Sequence, residues 1–318
     1  MKGKYDIIVK DAHLQYKFTI TRNITILRGD SATGKTTLID MIASYQQNRE
    51  RSGVTVISDK ECVVINELNW QLNLSQVKDS IVFIDEGGAF VKTTEFAETI
   101  KKSDNYYVIA TRVSLANLPY SVQEVYGIKN TSGNRYQGTK KLYSKFVPLY
   151  IPDNVNEVAK PELVVVEDTN AGYHFFKNIC EQQFIECVSG GGNSSIYNIV
   201  LESKAKSVLV IADGAAFGPE MESILSLRRL KNLLLFLPES FEWLILKSDL
   251  IHDVNDVMDN PELYIESSKY FSWEQFFTAF LIEKSKDSYL AYRKQRLNPV
   301  YLQKHEVNMI MKNIPVLK

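Results

Sequence analysis

Gly29, Asp30, Ser31, Ala32, Thr33, Gly34, Lys35 and Thr36 carry the pattern G-x-x-x-x-G-K-T. Glycines at both ends let a short turn aim successive backbone N–H groups at one centre, and a helix beginning there adds its positive dipole end. A polyphosphate satisfies both. The Lys35 ammonium would reach the outer phosphates, the Thr36 hydroxyl would ligate Mg2+, and Thr37 carries the loop into the helix. Further on, Ser80-Ile81-Val82-Phe83-Ile84-Asp85-Glu86 is an apolar run delivering two carboxylates. Asp85 suits the Mg2+ shell beside Thr36, and Glu86 suits a base that orients or deprotonates an attacking water.

These residues need elements to carry them. Ile24–Leu27 precedes the glycine loop as a short β-branched run, and Thr37 to Ile42 continues beyond it with apolar residues at helical spacing. Strand, glycine loop and helix form the context a P-loop requires. Tyr5–Val9, Leu14–Ile20, Val54–Ile57, Cys62–Ile65 and Tyr106–Ala110 read as further strands. Thr111 and Arg112 close the last of these, and a resemblance to P-loop ATPases of the RecA and ABC type would make this the place from which a side chain senses a terminal phosphate. Val122–Ile128 reads as the final strand of this half. The polar stretch from residue 130 to 141 reads as a loop or hairpin, and Pro148, Pro152 and Pro161 punctuate the chain beyond it. The expected division is 1–155 and 156–318.

The second half repeats an α/β pattern. Leu163–Val166 is a strand ending in Glu167 and Asp168, and Ala171–Gln182 is a helix. Phe184–Val188 is a strand running into Gly190–Gly192, with a helix through Tyr197–Leu201. Ser207–Ile211 is a strand ending at Asp213, Glu220–Arg229 is helical, and Leu233–Leu237 is a fourth strand. Carboxylates clustered at strand ends can hold Mg2+ for phosphoryl chemistry. Trp273–Glu283 has the spacing of a core-packing helix. Lys284–Arg296 interleaves basic residues with Tyr289 and Tyr292, which fits either a solvated helix face or nucleic-acid contacts.

Composition narrows the classes. The 318 residues are 45% hydrophobic and 24% charged, with a net charge of −1, so no global basic field advertises nucleic acid. Cys62, Cys180 and Cys187 are scattered without a C-x-x-C pair, which argues for a reducing compartment and against a zinc site. No apolar run approaches the ~18–20 residues that span a bilayer. The expectation is a cytoplasmic protein without a membrane segment.

The first half resembles P-loop ATPases of the ABC and RecA type, in which a β layer precedes the loop strand and a Walker B strand ends in acids. It has no L-S-G-G-Q signature and no long coiled-coil insertion. The second half resembles a Toprim domain, as found in topoisomerases, primases and the OLD (overcoming lysogenization defect) ATPase-nucleases. By that resemblance Glu167 stands for the strand-end glutamate, Gly190–Gly192 for the glycine turn and Asp213 for the first aspartate of a D-x-D. The second aspartate position is Ala215, which cannot ligate a metal. Asp168, Glu220 or Glu222 are possible substitutes, and Glu239 or Glu242 match a later glutamate.

The resemblance implies ATP and Mg2+ as cofactors, Thr36, Asp85, Glu167 and Asp213 as metal ligands, and nucleic acid as a partner. It also implies a role in phage defence or a mobile element, with a homodimer completing the nucleotide site. Two other classes compete. One is an ATP-controlled protein-interaction module without nuclease activity. The other is a small-molecule kinase, which would need an arginine-rich lid that the sequence lacks after Glu86.

Overall fold

A computed structural model describes residues 1–29, 33–130, 141–151, 160–315 and 317. Asp30, Ser31 and Ala32, the polar stretch 131–140 and the expected boundary near 155 lie outside the described residues.

The chain is a mixed α/β protein that divides into two compact units. The first is Met1–Tyr150 with Pro261–Phe271, and the second is Ile151–Asn260 with Ser272–Lys318. The expected layout does not include the return of 261–271 to the first unit. That return rests on backbone bonds from Gly3 N–H to the Glu262 carbonyl (2.7 Å) and from Ser267 N–H to the Met1 carbonyl (2.9 Å). The Asn23 side-chain amide also donates to the Phe271 carbonyl at 2.8 Å.

In the first unit, β1 (Tyr5–Lys10), β2 (Leu14–Ile20) and β3 (Ile24–Leu27) lead into α1 (Lys35–Asn48). Next come β4 (Thr55–Ile57), β5 (Cys62–Val64), α2 (Trp70–Ser75), β6 (Ile81–Ile84), α3 (Thr94–Lys101) and β7 (Tyr106–Ala110). β8 (Val125–Asn130) and β9 (Leu142–Pro148) complete the set. Among the described residues, nine strands form one sheet, ordered β4-β1-β2-β9-β8-β3-β7-β6-β5. From β8 to β5 every neighbour is parallel, while β4, β1 and β2 pair antiparallel.

Four of the parallel strands, β3, β5, β6 and β7, are buried on both faces, which is why they read as unbroken apolar runs. Phe83 and Val108 pack on one face with Leu38 and Ile42 of α1. Val82, Ile84 and Ile109 pack on the other with Trp70 and Phe96. Parallel pairing then brings the ends of β3, β6 and β7 to one edge of the sheet.

β9 corrects one expectation: the last strand of this unit is Leu142–Pro148, not Val122–Ile128. β9 is a half-exposed strand with Lys145 and Pro148 in it, so its pattern carries little apolar periodicity. It wedges between β2 and β8, parallel to one and antiparallel to the other. Val122–Glu124 is a 3-10 turn leading into β8.

In the second unit, β10 (Leu163–Val166), α4 (Ala171–Gln182), β11 (Glu186–Ser189), α5 (Asn193–Glu202) and β12 (Ser207–Ile211) occur in that order. They continue into α6 (Met221–Ser226), β13 (Asn232–Phe236), α7 (Phe241–Leu246), α8 (Asn255–Asp259), α9 (Trp273–Ser285) and α10 (Lys304–Met311). The four strands form a parallel sheet ordered β11-β10-β12-β13. Lys284–Arg296 is not one helix face: α9 ends at Ser285 and the chain then turns.

Candidate functional sites at two sheet edges

At the edge of the first sheet, α1 starts immediately after Gly34, whose φ of 92° favours glycine. A Cβ there would also lie 2.8 Å from the Tyr16 hydroxyl. That hydroxyl donates to the Gly34 carbonyl at 2.8 Å, so β2 holds the end of the loop in place. Burial pushes the Tyr16 phenol up to about 12, which keeps it a donor at any ordinary pH. Gly29, at φ 147°, opens the loop in a conformation that again favours glycine.

Lys35 is buried, and its ammonium donates to the Gly29 carbonyl at 2.5 Å and the Thr33 hydroxyl at 3.2 Å. It spans the loop from end to end. On its other side Lys35 lies 4.0 Å from Glu86, which is also paired with the Arg112 guanidinium. Asp85 accepts from the Glu86 N–H at 2.8 Å and lies 3.5 Å from the Thr36 hydroxyl. Thr36 and Thr37 are exposed on the first turn of α1. Thus Gly29, Thr33, Gly34, Lys35, Thr36, Asp85 and Glu86 of the expected set meet at the ends of β3 and β6, with Thr37 on the first turn of α1 beside them and Arg112 arriving from β7. Thr111 is buried and engaged with its own turn, donating to the Val113 carbonyl at 2.9 Å.

This donor set fits Mg2+ with a polyphosphate. A hydroxyl and a carboxylate stand side by side as hard oxygen ligands, and a lysine and an arginine supply positive charge beside them.

At the edge of the second sheet, Glu167 comes directly after β10 and Asp213 lies two residues past β12. The turn between β11 and α5 approaches Glu167 closely: Gly192 N–H donates to the Glu167 carbonyl at 3.2 Å. A Cβ on Gly190 would lie 2.9 Å from Ile196 and 3.2 Å from the Val166 carbonyl. A narrow cleft here is lined by Glu167, Asp168, Gly172, Asp213, Pro238 and Phe241.

Three carboxylates of this unit already have donors. Both oxygens of Asp168 accept from backbone N–H groups at the start of α4, Asn170 at 2.9 Å and Gly172 at 2.7 Å. Glu242 is buried on α7 and accepts from the Tyr292 hydroxyl at 2.8 Å. Glu274 of α9 accepts from the Lys294 ammonium at 2.5 Å. Burial, then the charges of Glu274 and Asp168, push the Glu167 carboxyl up to about 7. Burial and the same acidic surroundings hold Asp213 well above the usual carboxylate range. Desolvation works to lower Lys294, but Glu242, Glu274 and Asp213 outweigh it and push the ammonium upward.

Ala215 is buried and ligates nothing. No group of three acidic, cysteine or histidine side chains among the described residues is arranged to hold a metal ion. Among the described residues, Glu167 and Asp213 are thus not joined by a third such side chain placed to hold a divalent cation with them. Glu220 is half-buried and Glu222 exposed, and among the described residues neither joins such a group.

Three residues here have surroundings that the sequence does not announce. Lys294 and Tyr292 lie in a stretch whose charge pattern suits solvent, yet Tyr292 is buried and Lys294 is paired. Glu242 suits a solvated helix face and is only 2% exposed. In the first unit Tyr16 is an inward position of an alternating strand, but nothing local says that its hydroxyl holds the loop. No helix among the described residues is long and apolar enough to cross a membrane.

No family model, no curated protein and no solved structure matches the chain. The functional reading therefore rests on the two sheet edges themselves.

Proposed function

We propose that the first unit is a P-loop NTPase domain that binds and hydrolyses ATP with Mg2+, and that this cycle controls a Toprim-like second unit that recognises nucleic acid. The observation that carries the reading is the meeting of Lys35, Thr36, Asp85, Glu86 and Arg112 at one sheet edge. Thr36 and Asp85 would hold Mg2+, which supplies charge neutralisation on the phosphates when bound. Lys35 exchanges its contact with the Gly29 carbonyl for phosphate oxygens. Arg112 leaves Glu86 for the same charge, and that frees the carboxylate to take a proton from water. An ion pair half open to solvent is worth only about 0–1 kcal/mol, so a phosphate competes for Arg112 at little cost.

Ala215 and the engaged carboxylates of the second unit favour recognition over cleavage. The role in phage defence or a mobile element, and the homodimer, derive from the resemblance alone and belong to the same proposal. The test is calorimetry with ATP and Mg2+ on the whole chain and on Lys35→Ala. Binding to the parent and loss in the variant support the reading; flat traces with ATP, ADP and GTP on folded parent protein overturn it.

A further inference from the structure

We infer that Tyr16 is a positioning residue of the nucleotide site: from β2 its hydroxyl fixes the peptide between Gly34 and Lys35, and so aims the Lys35 N–H at the phosphate chain the loop would bind. This role rests on the nucleotide reading of the first unit and adds to it a residue that lies outside the loop motif. The Gly34 carbonyl accepts twice, from the Tyr16 hydroxyl at 2.8 Å and from Leu38 N–H at 3.0 Å. The second bond is the first turn of α1 closing on itself, whereas the first comes from another strand. Two donors engage both lone pairs of that oxygen and set its direction. A peptide unit is planar and trans, so a fixed carbonyl also fixes the N–H on its far side. That N–H belongs to Lys35, the first residue of α1, where backbone N–H groups point out along the helix axis toward an anion.

Tyr16 can do this because it is itself held. Its backbone lies opposite Val9 of β1 on one side and Ser144 of β9 on the other. Its side chain is only 1% exposed and belongs to the same core cluster as Leu38 and Ile42 of α1. The contact leaves no slack, since a Cβ on Gly34 would lie 2.8 Å from the hydroxyl. The loop therefore has two holds of different kinds. The Lys35 ammonium on the Gly29 carbonyl is one that a phosphate would take over. The Tyr16 hydroxyl is one that stays in place when the phosphate arrives, so the loop keeps its shape and binding need not pay for ordering it.

The test compares two hydroxyl deletions in the full chain. Tyr16→Phe keeps the ring and removes the bond to Gly34. Tyr107→Phe removes a hydroxyl that is equally buried, at the start of β7, where it donates to Ser103 at 2.8 Å. Both should lower the melting temperature, but only Tyr16→Phe should weaken Mg·ATP in calorimetry, by about three- to ten-fold, the worth of one hydrogen bond. In steady-state phosphate release, Tyr16→Phe should raise KM by the same factor and leave kcat within about two-fold, because a phosphate held by that N–H is held alike before and during transfer. Tripolyphosphate should lose the same factor as ATP, since the loop meets phosphate and not base. Tyr16→Leu, which fills similar space without a hydroxyl, should repeat the pattern and serves if Tyr16→Phe does not fold. Unchanged affinity in a folded Tyr16 variant, or an equal loss in Tyr107→Phe, overturns the role of Tyr16 and leaves the nucleotide reading standing. A parent protein that binds neither ATP nor tripolyphosphate overturns the nucleotide reading and this role with it.

Discussion

The two units build the same kind of place from different parts. In each, parallel strands deliver carboxylates to one sheet edge, a glycine turn approaches that edge, and a lysine of the same unit pairs with a glutamate. In the first unit the lysine belongs to the turn itself: Lys35 sits one residue after Gly34 and spans the loop that would hold a phosphate. Its neighbours Thr36 and Thr37 are exposed, and Asp85 and Glu86 are half-buried. In the second unit the lysine comes from a turn far along the chain, and its partner Glu274 lies on α9. The first arrangement leaves room for a ligand's charge; the second has its charges answered from within. A motif names the residue types at such an edge, while the distant chain decides whether the edge is open.

The comparison can be broken most sharply at Glu86. Glu86→Gln should leave ATP binding intact and slow turnover by about 10²–10⁴-fold, the usual contribution of a positioned base. Normal turnover in a phosphate-release assay would remove Glu86 from the chemistry. Next in size, Lys35→Ala should weaken ATP by about 100-fold or more in calorimetry, whereas Lys294→Met should leave ATP affinity within about two-fold. An equal loss from both would mean that the two edges are not separate in function.

The second edge has its own pH signature. The folded protein prefers Glu167 protonated, with its carboxyl raised from 4.5 to about 7. Between those values the folded chain holds more protons than the unfolded one, so stability falls as pH rises through that window. The penalty is absent below the lower value and complete above the upper. Thermal melts at about pH 5 and pH 7.5 should differ in that direction, and Glu167→Gln should flatten the difference. Smaller again, Tyr292→Phe leaves Glu242 without its donor, so the melting temperature should drop by the few degrees that ~1–2 kcal/mol represents. Arg112→Ala should be smallest for stability, below about 1 kcal/mol by denaturant titration, because Arg112 is 57% exposed on its side chain.

How much of this is legible in the sequence depends on whether the physics is local. The first site is written within short stretches: a glycine loop between a strand and a helix, and an apolar run ending in Asp85 and Glu86. Strands buried on both faces and ending in acids announce themselves, as do β10 and β12 in the second unit. The spacing predicts α4 over Ala171–Gln182, and it forms over those residues because its apolar positions recur at helical intervals. β9 is not legible, since a half-exposed strand with mixed charges lacks a period. Lys294 is not legible either. Its role exists only because folding brings it to Glu274 and to the start of α4, and a lysine among lysines carries no mark of that future.

The stretch 261–271 has a practical bearing on any attempt to take the protein apart. Phe271 is 8% exposed and packs in the same cluster as Trp70, Phe96 and Tyr107. A fragment ending at Tyr150 would lose that ring and the cover it gives, so a first unit prepared by simple truncation should be sticky and poorly behaved. Excision of 151–260, with a short flexible bridge in its place, would keep the missing ring and is the better route to a minimal fragment.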